Sequence, residues 1–518
     1  MTLIAPATLA QRSEQALERL GDHPALLFEG TWQSSYELAG RARRTAAGLV
    51  GLGVRPGDRV VLCMANCPEV GIAYSALWRA GAVATPVLFL LTEDELRHVL
   101  SDSGAVAVLT TPEFLPKILA VAGDLPVVVV GGDSGAPAAG SSAAGARLLT
   151  FAELESGAEL ALVDRAPEDL AALLYTGGTT GRSKGVALTH AGLDTAGAAA
   201  HAVGRREGPT VNLLPLPLAH AYGLMVSVAG LHAEVAGPSV LMRWFDPAGF
   251  VALVEQHGVQ QSALVPSMIQ MLLTQPLEDH DLSTLERISS GGAPLAVEVA
   301  LELERRVPGL QVREGYGCTE TSALISAQPA GDRRLGSVGK PVPGIEVRIT
   351  GLDGEALPAG DDGEICVRGP LLMTGYWRSP EATAEAVRDG WLHTGDVGRV
   401  DDQGWLYVVD RLKDLIIRNG FNVYPRDVED VLLAHPEVTA AAVVGRPDAR
   451  VGEEVVAFVS VAAGSTLTPD QLISFTKEHL AATKYPREVR IVDAVPLTSV
   501  MKTDRKALRT QLRAVPSS

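Results

Sequence analysis

The stretch that most constrains this chain is residues 175–185, Tyr-Thr-Gly-Gly-Thr-Thr-Gly-Arg-Ser-Lys-Gly. Four glycines, three threonines and two cations in eleven positions cannot build a packed core element. They suit a loop wrapped around phosphate: glycine lets backbone N–H groups approach an anion, hydroxyls donate, and a lysine adds a full charge. Thr176, Gly177, Gly178, Thr179, Thr180, Gly181 and Lys184 are therefore the first candidate binding residues. The apolar run at 170–175 reads as a buried strand, so the loop leaves the edge of a sheet. It is not the common P-loop, because Gly rather than Ser or Thr follows Lys184.

Short apolar runs alternate with helical patterns through the first four-fifths of the chain. Residues 59–64, 105–110 and 127–130 read as strands, and 36–52 and 92–102 have helical spacing. A Gly/Ala/Ser-rich loop follows at 131–144. From 335 to 407 the texture changes to short strands punctuated by Gly and Asp, at 344–349 and 363–368. The charged run Asp410-Arg411-Leu412-Lys413-Asp414 reads as a linker. The last hundred residues hold their own set: helices at 425–434 and 468–481, strands at 438–444, 455–461 and 489–492. The fold class is α/β: a large N-terminal domain of several subdomains, with parallel sheets and a small β-rich subdomain, then a small α+β C-terminal domain. The boundary is expected between 1–411 and 412–518.

A chain of 518 residues is long enough for at least two domains, and its 47% hydrophobic and 20% charged content is ordinary for a globular enzyme. A formal net charge of −17 argues against nucleic acid or an anionic membrane as partner. Four cysteines form no disulfide framework; Cys63 and Cys67 have half-site spacing without a second pair and read as buried. No secretory signal is evident, and the apolar stretches at 81–91 and 213–231 are broken by Pro, His or Gly, so a cytoplasmic enzyme without membrane insertion is expected.

Further motifs gather around the same chemistry. Gly315-Tyr316-Gly317-Cys318-Thr319-Glu320 pairs a flat aromatic with a hydroxyl and a carboxylate: a purine stack, a phosphate donor and a hard oxygen ligand for Mg²⁺. Ser290-Gly291-Gly292-Ala293-Pro294 has small residues against which a base can lie. Asp396, in Trp391-Leu392-His393-Thr394-Gly395-Asp396, can accept two ribose hydroxyls, and Arg411 can reinforce ribose or phosphate contacts.

In this order, from the first strand to Arg509, the motifs resemble those of the adenylate-forming superfamily, in particular its acyl-CoA synthetases. The resemblance implies a two-step reaction. ATP and Mg²⁺, the latter on Glu320, convert a carboxylic acid to an acyl-adenylate, and the thiol of coenzyme A then takes the acyl group. It gives Thr319 a phosphate contact and places His220, in Pro217-Leu218-Ala219-His220-Ala221-Tyr222-Gly223, near the substrate carboxylate. Lys502, in Thr498-Ser499-Val500-Met501-Lys502, corresponds to the lysine that enters the site for adenylation. Lys413 matches the hinge about which a mobile C-terminal domain turns, and Gly420 lines the pantetheine tunnel. Gly177 and Met501 depart from residues common in relatives, Ser and Gly respectively.

His220, Tyr222, Met225, Ser267 and Ala323 are expected to line the acid pocket. No buried cation or carboxylate announces itself among them, which favours a fatty or aryl acid. The same residues admit two other readings: loading of a carrier-protein phosphopantetheine in trans, and a degenerate nucleotide- or acyl-adenylate-binding homologue. A homodimer is also compatible with the sequence.

Overall fold

The computed structural model describes residues 7–131, 142–143, 146–176, 182–351, 353–448, 450–498 and 503–514. Two nine-stranded sheets carry the first part of the chain. In one, Arg59–Cys63, Val83–Pro86, Ala107–Thr110 and Val127–Val129 run parallel at the centre. The first and third of these are Arg-Val-Val-Leu-Cys and Ala-Val-Leu-Thr, near-continuous apolar runs that suit strands covered on both faces. Leu170–Thr176 joins this sheet parallel to Val83–Pro86 and then turns back into Lys184–Thr189, so the glycine-rich segment spans a tight antiparallel pair.

The other large sheet has five parallel neighbours, Ser239–Leu241, Asn212–Leu214, Gln261–Leu264, Arg287–Ser290 and Gln311–Tyr316. Pro24–Phe28 closes one side, parallel to Ser239–Leu241, across more than two hundred residues of sequence. Period-two alternation divides the central strands. Ser262, Leu264, Ile288, Ser290 and Val312 are buried on one face, whereas Gln261, Ala263, Arg287, Ser289 and Arg313 stay half-exposed on the other. That second face lines a deep cleft.

A five-stranded antiparallel sheet follows, built on Glu346–Thr350, Gly363–Arg368, Trp391–Val400 and Leu406–Arg411. The last sheet comprises Ile416–Arg418, Phe421–Val423, Val438–Asp448, Gly452–Val461 and Glu488–Ile491. The helices Pro425–Leu433 and Pro469–His479 cover it with a separate core of Val428, Leu432, Val443, Val455 and Leu472.

The helices begin where short side chains cap them. Ser34 accepts from Glu37 N–H while Glu37 reaches back, a reciprocal cap that starts Ser35–Gly51 and buries Ala42, Ala46 and Leu49 on one face. The expected linker 410–414 is more structured than its charge suggests. Asp410 and Arg411 complete a strand, and Leu412–Asp414 forms one 3₁₀ turn with Asp414 buried against Arg509. Most of the Gly/Ala/Ser-rich 131–144 segment lies outside the described residues; Ser142–Ala143 forms a short strand. Cys63 and Cys67 are buried and free, as expected. Among the described residues no helix is long and apolar enough to cross a membrane.

Candidate active site

A single cleft of about 1730 Å³ runs across the carboxyl ends of the parallel strands and against the C-terminal sheet. Ligands in open α/β sheets bind at such strand ends because loops and backbone N–H groups converge there. Most of the motif residues meet in this cleft. Thr176, Lys184, His220, Tyr222, Met225, Ser267, Gly291, Gly292, Ala293, Gly315, Tyr316, Gly317, Thr319, Glu320, Ala323, Asp396, Arg411 and Lys413 all line it. Gly177, Gly178, Thr179, Thr180, Gly181, Met501 and Lys502 lie outside the described residues.

The ends of the glycine-rich loop are pinned. Tyr175 donates its hydroxyl to Asp102 at 2.6 Å, and His98 Nε2 lies 2.9 Å from the Ser183 carbonyl. Thr176 and Lys184 face one another across the strand pair. Lys184 Nζ stands 5.1 Å above the Tyr376 ring, and the Tyr376 hydroxyl donates to Glu320 Oε1 at 2.9 Å. Cation, aromatic and carboxylate thus form one wall. Tyr376 carried no signal in the sequence, because it reaches Glu320 across 56 positions.

Close by, four residues before Glu320, Tyr316 donates its hydroxyl to Asp396 Oδ2 at 2.6 Å, and Arg411 Nε donates to Oδ1 at 2.8 Å. The antiparallel register Asp396↔Arg411 puts the two side by side. The Asp396 carboxylate raises the pKa of Arg411, and burial, then Asp396, pushes the Tyr316 phenol above its usual range. Tyr316 therefore remains a donor and Arg411 a cation throughout the physiological range. Gly317 is required by close approach: a Cβ there would lie 2.3 Å from the Ala323 carbonyl oxygen. Ser322 and Ala323, both at positive φ, fold back against it.

His220 caps the helix Ala221–Gly230, with Nδ1 accepting the Tyr222 N–H at 3.2 Å. That bond places a neutral ring's proton on Nε2. Tyr222 donates its hydroxyl to the Ser289 carbonyl at 3.1 Å, which holds its ring against Gly291.

The C-terminal sheet contributes Thr439 and Ala440 to the same cleft, and the chain beyond it contributes Leu497, Thr498, Thr503 and Arg505. Leu497 and Thr503 pair as an isolated antiparallel bridge, and Asp504 N–H donates to the Pro496 carbonyl at 2.8 Å. The segment holding Lys502 therefore starts and ends at the cleft. Gly420 does not reach it. It turns the hairpin between Ile416–Arg418 and Phe421–Val423, exposed at φ +79° and away from the cleft lining.

Where the two parts of the chain meet, Arg426 ties them: its N–H donates to Asp410 Oδ2 at 3.0 Å and its guanidinium to the Leu295 carbonyl at 3.3 Å. Arg505 binds Glu429 at 2.7 Å, and burial raises Asp410 to about 6 and nearby Glu314 to about 7. A carboxyl group whose pKa is raised by folding favours the folded arrangement below its unfolded value near 4, and this contribution is lost as pH rises through 6–7. Glu314→Gln should therefore stabilise the protein at pH 8, by on the order of 2 °C in Tm, and leave it unchanged at pH 4. Calorimetry at both pH values checks this; a gain at pH 4 alone contradicts it.

The sequence reading did not single out Arg287 and Arg313, which also line the cleft, half-buried.

The cleft thus gathers a cation, an aromatic and a carboxylate beside a Tyr–Asp–Arg cluster at the ends of parallel strands. Residues 13–377 match the family model of the AMP-binding enzyme, and 427–502 that of the AMP-binding enzyme C-terminal domain. The chain belongs to the AMP-binding enzyme family. It is 38% identical to a feruloyl-CoA synthase of Amycolatopsis sp, over 93% of this chain and 94% of that one. It is 35% identical to a long-chain-fatty-acid–CoA ligase of Escherichia coli O6:H1, over 98% and 95%. Among solved structures, the anthranilate CoA ligase AuaEII in complex with anthranoyl-AMP superposes with a TM-score of 0.90 at 25% identity, covering 99% of this chain and 98% of that one. ATP-bound MatB from Rhodopseudomonas palustris superposes with a TM-score of 0.86 at 32% identity, over 98% and 100%.

Proposed function

We propose that this protein is an ATP-dependent, AMP-forming acyl-CoA synthetase acting in the cytoplasm on a carboxylic acid, ATP and coenzyme A. The observation that carries the proposal is the convergence, in one cleft, of Lys184 and Glu320, joined through Tyr376, with the hydrogen-bonded cluster Tyr316, Asp396 and Arg411. The names of the relatives, ligases of fatty and hydroxycinnamic acids, support the same chemistry.

A carboxylate is a poor acyl donor because its leaving group would be oxide. Its attack on the α-phosphate of ATP forms a mixed anhydride and expels pyrophosphate, and AMP is then the leaving group. Two anions must approach, so the site has to stabilise accumulating negative charge. Lys184, Thr176 and the 177–181 segment would hold the outer phosphates, with Thr319 donating to phosphate. Glu320 fits a Mg²⁺ role: it lines the cleft with Oε1 held by Tyr376, and no bond to Oε2 is seen among the described residues. When bound, Mg²⁺ would neutralise phosphate charge. Gly291, Gly292 and Ala293 would flank adenine, and Asp396 with Arg411 would hold the ribose. His220 would approach the acid's carboxylate, in a pocket walled by Tyr222, Met225, Ser267 and Ala323.

The chain works as two units, 1–411 and 412–518, a division supported by the change of sheet between Leu406–Arg411 and Ile416–Arg418. Lys413 is the pivot. In the arrangement described, Leu497 and Thr503, on either side of Lys502 in sequence, line the cleft and the Gly420 hairpin does not, which suits adenylation. Rotation about Lys413 would then bring Gly420 to the tunnel for the thiol.

Pyrophosphate release measured with acid and ATP alone, then with coenzyme A added, tests the proposal. Acid-dependent release, with thioester formed only when coenzyme A is present, is expected. No acid-dependent release across fatty and aryl acids would overturn it.

A further inference from the structure

The half-exposed face of the parallel sheet continues past the adenylation end of the cleft. Ser289 and Gly315 stand near that end; Arg313 lies level with Ser289 on the neighbouring strand, and Arg287 one two-residue step, roughly 7 Å, further back. Both guanidinium groups are short of partners. Arg287 Nη1 donates to the Val203 carbonyl at 3.2 Å. Arg313 donates to the Pro329 carbonyl and to Gln311 Oε1, each at 2.9 Å, and its Nε is buried without an acceptor.

Among the described residues neither forms an ion pair. Glu286, next to Arg287, is held in a bidentate pair with Arg206 at 2.7 and 2.8 Å and offsets only part of the Arg287 penalty, and Glu314, next to Arg313, alternates to the other face of its strand. Several buried or half-buried arginines elsewhere are matched by acids, Arg12 with Asp194, Arg41 with Glu69 and Glu155, Arg418 with Glu454, and Arg348, which has none, lies over the Trp391 ring instead. Burial lowers the pKa of both unmatched groups, and for Arg287 the charge of Arg313 adds to it. A guanidinium cannot escape this penalty by losing its proton, so the fold retains two positive charges without an ion-paired acid among the described residues, in a cleft of an otherwise acidic chain.

Such a pair is completed by a ligand. Planar forked donors match a carboxylate in two-point contact, and the same cleft is lined by the apolar Ala200, Met225, Val226 and Ala263. We infer that the acid this enzyme activates carries a second carboxylate, seated on Arg287 and Arg313 while the first is adenylated. The span suits an α,ω-dicarboxylate of about six to eight carbons, or an aryl acid of similar reach. This inference rests on the synthetase reading above.

The test is acid-dependent pyrophosphate release with octanedioic acid, its monomethyl ester and octanoic acid, as kcat/KM. The diacid is expected to exceed both others on the order of 10- to 100-fold. Arg287→Met and Arg313→Met should each collapse that ratio toward one, and Arg287→Lys should restore part of it. A preference for octanoic acid in the wild-type protein, or a ratio unmoved in both methionine variants, overturns the inference while leaving the synthetase reading intact. Absence of release with every acid overturns both. Because the wild-type preference alone is decisive, failure of a variant to fold does not remove the test.

Discussion

Lys502→Ala should lose on the order of 10²–10³ in carboxylate-dependent pyrophosphate release while still converting supplied acyl-adenylate to thioester at close to the wild-type rate. The two half-reactions place charge differently. In adenylation the α-phosphate becomes five-coordinate and gains negative charge, and a cation held there is worth more in the transition state than in the ground state. In thioester formation that phosphate is already a leaving group in AMP. Although Lys502 lies outside the described residues, the chain on both sides is fixed: Leu497 and Thr503 pair, both line the cleft, and Asp504 is tied back to Pro496. The Gly420 hairpin, assigned to the second half-reaction, projects elsewhere. One arrangement therefore cannot serve both steps with the same C-terminal residues. Single-turnover rates for each half-reaction check the prediction, and equal losses in the two would contradict the division of labour.

Local signals in the sequence located much of this site. The glycine-rich segment after an apolar strand, the Tyr316–Glu320 block and the Asp396 turn each carry their chemistry within a few residues, so no knowledge of packing was needed to find them. Apolar runs such as 59–63 and 127–129 announced buried parallel strands for the same reason. What stayed hidden depends on distant partners. Tyr376 gains meaning only when the sheet sets it beside Glu320 and beneath Lys184. Asp410 reads as part of a charged linker until helix Pro425–Leu433 docks its first turn on that carboxylate. Arg287 and Arg313 look like polar strand ends, and only the gap between this sheet and the helices around Ala200 and Met225 turns them into cleft cations. Gly420 was assigned by motif alone, and the motif does not specify which domain arrangement the chain adopts.

Asp396→Ala should lower kcat/KM for ATP by on the order of 10² and remove the enzyme's discrimination against 2′,3′-dideoxy-ATP. Asp396 is only 5% exposed and already binds Tyr316 and Arg411, one through each carboxylate oxygen. Each oxygen keeps a further lone pair, so the same carboxylate can organise the two protein groups and accept ribose hydroxyls. Removing it leaves a phenol and a guanidinium facing one another without the anion between them, so part of the loss will be positional. The deoxy analogue separates the two contributions. If Asp396 contacts ribose, the wild-type protein penalises the missing hydroxyls and the alanine variant does not. If Asp396 serves only to hold Tyr316 and Arg411, both proteins penalise the analogue equally. Asp396→Asn should fall between them, since its amide oxygen can still accept from Tyr316 while the charge that raises the pKa of Arg411 is gone. An undiminished penalty in the alanine variant would take the ribose contact away from Asp396.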